Sequence, residues 1–330
     1  MKQYRIVIDS LGSDKGPEAA IKGAIKLLEK REDVLLTIVG DKSLIEKMLL
    51  DAHSDMTRVK IVDAPEEITN LDNIGEAFFK KPNASVLKGI QELANDDSTI
   101  GMVSAGNSGA IIMGSIKYLI VPGQRPCLCA MIPAEKGGFT CVVDCGASID
   151  VNKTQLHQFA HLGSDFMKRL YKIERPRVAL LSNGVERTKG NALVKETFPI
   201  LEADKDINFV GNVEGTNALS GDCDVLVCDG FAGNQILKVT EATATRVIRD
   251  IVKYIKKNDK PEMMPLVQNL MGIYDLSNLG GAIVLGVKKT IVKCHGCSGP
   301  DAFVNTADIL INLEEGKSFF EGKDVRERKE

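Results

Sequence analysis

The 330-residue chain contains no tryptophan, and its aromatic residues together make only 5% of the total. Proteins that hold single-stranded nucleic acid stack its bases on aromatic side chains, and general nucleic-acid binders carry a surplus of positive charge. Here the net charge is −3, so nucleic acid is not an expected partner. Long apolar runs are missing too. Lys117 interrupts AIIMGSIKYLIV, and no stretch reaches the roughly 18 apolar residues that a membrane span needs. The opening residues, MKQYRIVIDS, lack the apolar core of a signal peptide and read as a first strand. These absences together predict a cytoplasmic protein.

Two familiar phosphate cradles are also absent. There is no G-x-x-x-x-G-K-[ST], which argues against ATP held by a P-loop, and nowhere do two glycines stand two apart, so the dinucleotide fingerprint G-x-G-x-x-G is missing. The eight cysteines in a chain of this length read as reduced thiols, not as a disulfide framework. Cys127 and Cys129 would share one face of a strand. Cys294-His295-Gly296-Cys297 is a single C-x-x-C, open to reading as a zinc half-site, a redox pair or small packed side chains. No second pair of similar spacing accompanies it, so neither a bound metal nor a redox function is expected there.

What the chain does have is alternation. Strand-like runs (YRIVID, VLLTIVG, RVKIVDA, IGMVSA, CLCAMIP, FTCVVDC, RVALLSN, INFVGN, DVLVCD, AIVLGV, TIVKCHG) are separated by helix candidates such as EAAIKGAIKLLEK and LHQFAHLGSDFMKRLYK. This predicts an α/β fold, a three-layer sandwich with a largely parallel sheet covered on both faces. FTCVVDC follows CLCAMIP across the short EKGG link, a hairpin signal, so the sheet should be mixed. No polar linker divides the chain. Residues 1–320 are expected to form a single catalytic domain and 321–330 a charged, frayed tail.

A glycine-asparagine dipeptide recurs at 106–107, 190–191, 211–212 and 233–234. Three copies stand between a predicted strand and a predicted helix: SAGNSGA, ERTKGNALV and GFAGNQILK. In open α/β sheets such turns gather at the carboxyl ends of strands, where ligands bind. Lys189 and Lys238 stand beside two of them. The expectation is an anion site, with free phosphate or a phosphorylated compound as ligand, and with GFAGN as a loop leaving backbone N–H groups uncovered.

The chain resembles the phosphate acyltransferases of bacterial phospholipid synthesis, the acyl-acyl-carrier-protein:phosphate transacylases. Nine blocks carry the resemblance in order: DSLGSDKGPE, KKPNASV, SAGNSGA, QRPCLCAMIP, VDCGASIDV, LLSNGVERTKGN, GNVEG, DVLVCDGFAGNQILK, and GGAIVLGV with HGCSGPDA. The family opens with Asp-Ala-Met-Gly-Gly-Asp; here Asp9, Gly12 and Asp14 persist, as candidates for binding phosphate or substrate, and Ser13 replaces a glycine. Ser148 stands where the family carries Asn, and Cys297 where it carries Ser.

The resemblance implies a fold like that of isocitrate dehydrogenase and phosphotransacetylase. It also implies attack of inorganic phosphate on the thioester of a long-chain acyl-acyl carrier protein, a homodimer, no cofactor and no metal. It further implies contact with the inner membrane surface, where a membrane acyl-phosphate-dependent glycerol-3-phosphate acyltransferase would take the product. The alternatives are a short-chain phosphotransacetylase using acyl-coenzyme A and a non-catalytic membrane-surface scaffold.

Phosphate needs no nucleophilic serine or cysteine; it must be held beside the thioester while the carbonyl oxyanion is stabilised. Lys189, Lys238 and the groups around Asn107, Asn191 and Asn234 are candidates, with Ser104, Gly106 and Gly233 in the same turns. His295 could donate to the carbonyl or protonate the departing thiolate. Asp229 could orient Lys238 or Asn234, and Arg125 is a further anion-binding candidate. His53, His157 and His161 receive no role. Residues 254–276 combine Lys256, Lys257 and Lys260 with Met263, Leu266, Val267 and Leu270, which predicts a helical projection that packs in a dimer or touches a membrane.

Overall fold

The computed structural model describes residues 2–274 and 281–317. The tail at 321–330 and the last two residues of the predicted 254–276 projection lie outside them. Starting at Tyr4, the chain runs through β1 (Tyr4–Asp9), α1 (Pro17–Lys30), β2 (Val34–Gly40), α2 (Lys42–Asp51), β3 (Val59–Asp63), α3 (Ile74–Lys80), α4 (Ser85–Asn95), β4 (Thr99–Ser104) and α5 (Ser108–Tyr118). It continues with β5 (Cys127–Pro133), β6 (Phe139–Val143), α6 (Lys153–Tyr171), β7 (Arg177–Ser182), α7 (Ala192–Ala203), β8 (Asn208–Glu214), β9 (Val225–Val227), α8 (Gly230–Lys257) and α9 (Met264–Tyr274). The last described elements are β10 (Ala282–Leu285), β11 (Thr290–Lys293) and α10 (Pro300–Glu314).

The described residues divide into two compact units, 2–126 with 281–317, and 127–274. In the first, the strand order is β3-β2-β1-β4-β11-β10, with β10 antiparallel to β11 and the others parallel. Ile6, Val7 and Ile8 are all fully buried. Consecutive strand residues point to opposite faces, so burial of all three means that helices cover both sides. α1 packs on α10, and α4 on α5.

In the second unit the order is β5-β6-β9-β7-β8. β5 and β6 form the predicted antiparallel hairpin, and β6, β9, β7 and β8 run parallel. Val225, Leu226 and Val227 are again fully buried. α6 packs on β6 and β9, and α7 on β7 and β8. Each unit thus carries largely parallel strands with one antiparallel strand among them, as the alternation predicts. Cys127 and Cys129 are buried on β5, and the Cys129 and Cys141 sulfurs meet 2.9 Å apart across the hairpin as free thiols.

Residues 254–274 are not one helix. α8 ends at Lys257, the chain turns through Asn258–Lys260 and a short 3-10 segment, and α9 begins at Met264 and packs back on α8. Val267 is buried against that neighbour side, while Leu266, Met264 and Met271 are exposed.

Candidate functional site

In the first unit the carboxyl ends of β1, β4 and β11 stand side by side, and the loops that follow them touch. Asp9, at the end of β1, is 1% exposed. Its carboxylate accepts from the Ser104 hydroxyl at 2.7 Å and from the Leu11 N–H at 3.2 Å. Burial pushes the Asp9 pKa up to about 6, against the pull of hydrogen bonds from Ser104 and Ser85. Ser104 in turn accepts from the Gly106 N–H at 3.0 Å. Gly12 has φ +85°, and a Cβ there would stand 2.4 Å from the Gly106 Cα, so these two loops fit only with glycine at the contact. The Asp14 N–H donates to the Gly296 carbonyl at 2.8 Å, and Ser13 Oγ donates to the same oxygen at 3.2 Å, which ties the loop after β1 to the loop carrying His295. Asn107 caps α5 by accepting from the Ala110 N–H, and its amide donates to Asn70.

Asp9, Gly12, Asp14, Ser104, Gly106, Asn107 and His295 therefore lie on neighbouring strand-end loops of one unit. Asp9 is a loop organiser: its burial leaves no carboxylate surface for a ligand. Arg125 is exposed in the segment between α5 and β5, not on one of these loops. Cys294 is buried, hydrogen-bonds Thr306, and burial pushes its thiol up to about 11; Cys297 is exposed. A thiol held so far above neutrality supplies little thiolate for redox exchange.

The second unit gathers the other motifs at the carboxyl ends of β6, β9, β7 and β8. Asp144, next after β6, is fully buried and accepts from the N–H groups of Leu128, Gly146, Ala147 and Ser148, at 2.6 to 3.2 Å. Burial raises its pKa, and those four donors oppose the rise. The DCGAS loop is thereby fixed around one carboxylate, a role the sequence reading did not assign to Asp144.

GFAGN departs from expectation. It is not a loop: α8 already begins at Gly230, and GFAGN forms its first turn. Asp229 caps that turn by accepting from the Ala232 N–H at 2.7 Å, and the Gly230 N–H donates to the Ser148 carbonyl at 2.8 Å. The N–H groups read as an open anion cradle are thus partly consumed by the cap and by the DCGAS loop. The glycines serve packing, since a Cβ on Gly233 would stand 2.0 Å from the Asp144 carbonyl oxygen. Asn234 lies beside Gly146. Lys238 is half exposed, about 12 Å along α8 from Gly230 at 1.5 Å per residue, and pairs with Glu241 at 2.9 Å.

The Gly190-Asn191 copy behaves as expected of a strand-to-helix junction. Asn191 caps α7 by accepting from the Val194 N–H at 3.0 Å, and the Gly190 N–H donates to Asn183 Oδ1 at 2.8 Å. A cavity of about 610 Å³ opens here, lined by Ser182, Asn183, Gly190, Asn191, Gly215 and Ile236 among others. The Ser182 hydroxyl is buried and has no hydrogen-bond partner among the described residues. Lys189, exposed beside this cavity's lining, forms no ion pair among the described residues. Ser182 and Asn183 were missed as site residues; the signal was two polar residues closing the apolar run RVALL inside the block LLSNGVERTKGN.

The family described as fatty acid synthesis protein matches residues 4–315. A phosphate acyltransferase of Halothermothrix orenii is 39% identical over 313 residues, covering 92% of this chain and 93% of that protein. The chain belongs to the phosphate acyltransferase family. A phosphate acyltransferase of Clostridium perfringens is 36% identical over 312 residues, covering 91% and 90% of the two chains. Among solved structures, a phosphotransacetylase from Streptococcus pyogenes superposes with a TM-score of 0.60 at 16% identity, over 95% of this chain and 94% of that one. That likeness establishes the phosphotransacetylase-like fold. The chain is an acyltransferase by family, and no helix of the described residues is long and apolar enough to cross a membrane.

Proposed function

We propose that the protein transfers a long-chain fatty acyl group from acyl-acyl carrier protein to inorganic phosphate, giving acyl phosphate for phospholipid synthesis. The observation that carries this reading is the cavity at the start of α7, with a buried hydroxyl at Ser182 and a cation, Lys189, beside it, neither partnered among the described residues. A helix N-terminus favours an anion through its N–H groups and its dipole. The volume lies within the usual range for small-molecule sites, about 300–1,000 Å³, and exceeds what phosphate alone would fill.

In this reading a phosphate oxygen attacks the thioester carbonyl carbon, the carbonyl becomes an oxyanion, and the C–S bond then breaks. Monohydrogen phosphate brings one proton, which ends on the departing sulfur, so acyl phosphate and free thiol balance the equation. Holding the dianion in place converts the attack into an effectively unimolecular step. Asn191 and Lys189 are assigned to phosphate. Lys238, Asn234 and the Asp229-capped turn remain candidates for the same anion.

The exposed α8–α9 surface belongs to the same proposal. Tyr254, Leu266 and Met271 are about half exposed, and Lys256, Lys257 and Lys260 lie at the turn between the helices. We assign this surface to a second copy of the chain and to the inner membrane face, where a membrane acyl-phosphate-dependent glycerol-3-phosphate acyltransferase would consume the product. No cofactor enters the scheme. Incubation with phosphate and either palmitoyl-acyl carrier protein or acetyl-coenzyme A tests the donor. Palmitoyl phosphate from the first is expected. Turnover with acetyl-coenzyme A alone would make the protein a short-chain phosphotransacetylase, and turnover with neither would make it a scaffold.

A further inference from the structure

His157 and His161 stand one turn apart on α6, so their side chains leave the same face of the helix. Both aim Nε2 at a single atom, Asp204 Oδ2, at 2.6 and 2.8 Å. Asp204 is the residue at which α7 ends. Its other oxygen is occupied, accepting the Asp206 N–H at 2.9 Å, which leaves Oδ2 facing the imidazoles. The rings meet edge to face with centroids 4.8 Å apart, and the three ligating atoms all lie within 4.8 Å of one another. All three residues belong to the second unit, and none is in the machinery assigned above.

We infer that His157, His161 and Asp204 form a binding site for a divalent transition metal, zinc in the first instance, that staples α6 to the end of α7. Two imidazole nitrogens and one carboxylate oxygen are a donor set suited to zinc, with water completing a tetrahedron. Zinc-to-ligand distances of about 2.0–2.2 Å place tetrahedral ligand atoms roughly 3.3 Å apart. To admit the ion the carboxylate must withdraw by about 0.5–0.7 Å from the two nitrogens, and the imidazole nitrogens, which lie within 4.8 Å of each other, must settle toward the same ~3.3 Å spacing.

The side chains permit that shift. His157, His161 and Asp204 are 28%, 37% and 15% exposed, so an ion can enter from solvent while Asp204 stays packed. Without metal, each imidazole donates its Nε2 proton to Asp204. To ligate a metal, each Nε2 must instead present its lone pair, with the ring proton carried on Nδ1. The site lies at the far end of α7 from Asn191, about 18 Å along a helix of twelve residues. Its effect is therefore on the hold between α6 and α7, not on the acyl-transfer cavity, and the inference does not depend on what that cavity binds.

Equilibrium dialysis of the untagged full chain against excess zinc, with bound metal measured by elemental analysis, tests this. Cys297 is the one exposed thiol among the described residues, so Cys297→Ser serves as background. One zinc per chain is expected, with a rise in thermal midpoint as zinc is added. Replacing an outer partner of a metal ligand typically costs 10–100-fold in affinity, so losing a ligand, as in His157→Ala or His161→Ala, should weaken binding at least ~10-fold. The cobalt complex should show d–d bands of a nitrogen–oxygen site without sulfur charge transfer, a reading that needs no variant. Failure to take up zinc, retention of full affinity in both His157→Ala and His161→Ala, or sulfur ligation in the cobalt spectrum would each overturn the site.

Discussion

A methyl group on Gly233 would stand 2.0 Å from the carbonyl oxygen of Asp144. The first turn of α8 thus lies directly on the loop that Asp144 organises, with no space for any side chain. Gly233→Ala should force helix and loop apart and cost about 3 kcal/mol, the upper end for overpacking. Gly272, on α9, has open space around it, so Gly272→Ala should be neutral or stabilise by up to about 1 kcal/mol. Urea unfolding of the two variants checks the contrast; equal effects would mean that α8 docks less closely than described.

Asp9 predicts a pH dependence. Its folded pKa of about 6 exceeds the ordinary 3.8, so the folded state retains a proton that the unfolded state has lost. The associated stability is fully present below about pH 4 and is lost as pH rises through about 6. Two units at 1.36 kcal/mol each give a loss of about 3 kcal/mol. Asp9→Asn mimics the neutral acid, so the wild-type stability minus that of the variant should fall by this amount between about pH 3 and 7. A flat difference curve would show that Asp9 is not held in this way.

The two lysines singled out beside Gly-Asn turns have different surroundings. Lys238 is paired with Glu241, and Lys189 forms no ion pair among the described residues. Lys189→Ala should raise KM for phosphate about tenfold, corresponding to one lost charge-assisted contact of roughly 1.4 kcal/mol. Lys238→Ala should have a smaller effect. Initial rates across phosphate concentrations decide the order, and the reverse order would move the phosphate to the α8 turn.

On α9, Leu266→Glu with Leu270→Glu should abolish flotation with anionic liposomes while soluble transacylase activity survives. Each lysine near an anionic surface contributes on the order of 1 kcal/mol, so wild-type binding should be reversible and weaken with salt. If the variant becomes an inactive monomer, the surface is dimer core and the membrane assignment is wrong.

The alternating pattern made the strands of both units legible, including the β5–β6 hairpin, because periodicity and short turn links are local signals. The Asn107 and Asn191 junctions were legible for the same reason: a cap is written in neighbouring residues. GFAGN misled because Asp229 and Asn234 are both capping residue types, and which one starts the helix depends on the DCGAS loop, about eighty residues earlier in the chain. His157 and His161 looked like ordinary helical residues because their common partner, Asp204, lies over forty residues away.

The first unit has a further consequence for the order in which the protein is made. β4 forms its parallel ladder with β11, yet 185 residues separate Ser104 from Thr290. Between them the ribosome delivers the whole of 127–274, which has its own sheet and helices. At roughly 5–20 residues per second, β4 waits about 10–40 s with one edge unpaired. During that interval the N–H and C=O groups on that edge are open to other chains, which exposes β4 of the nascent chain to mispairing.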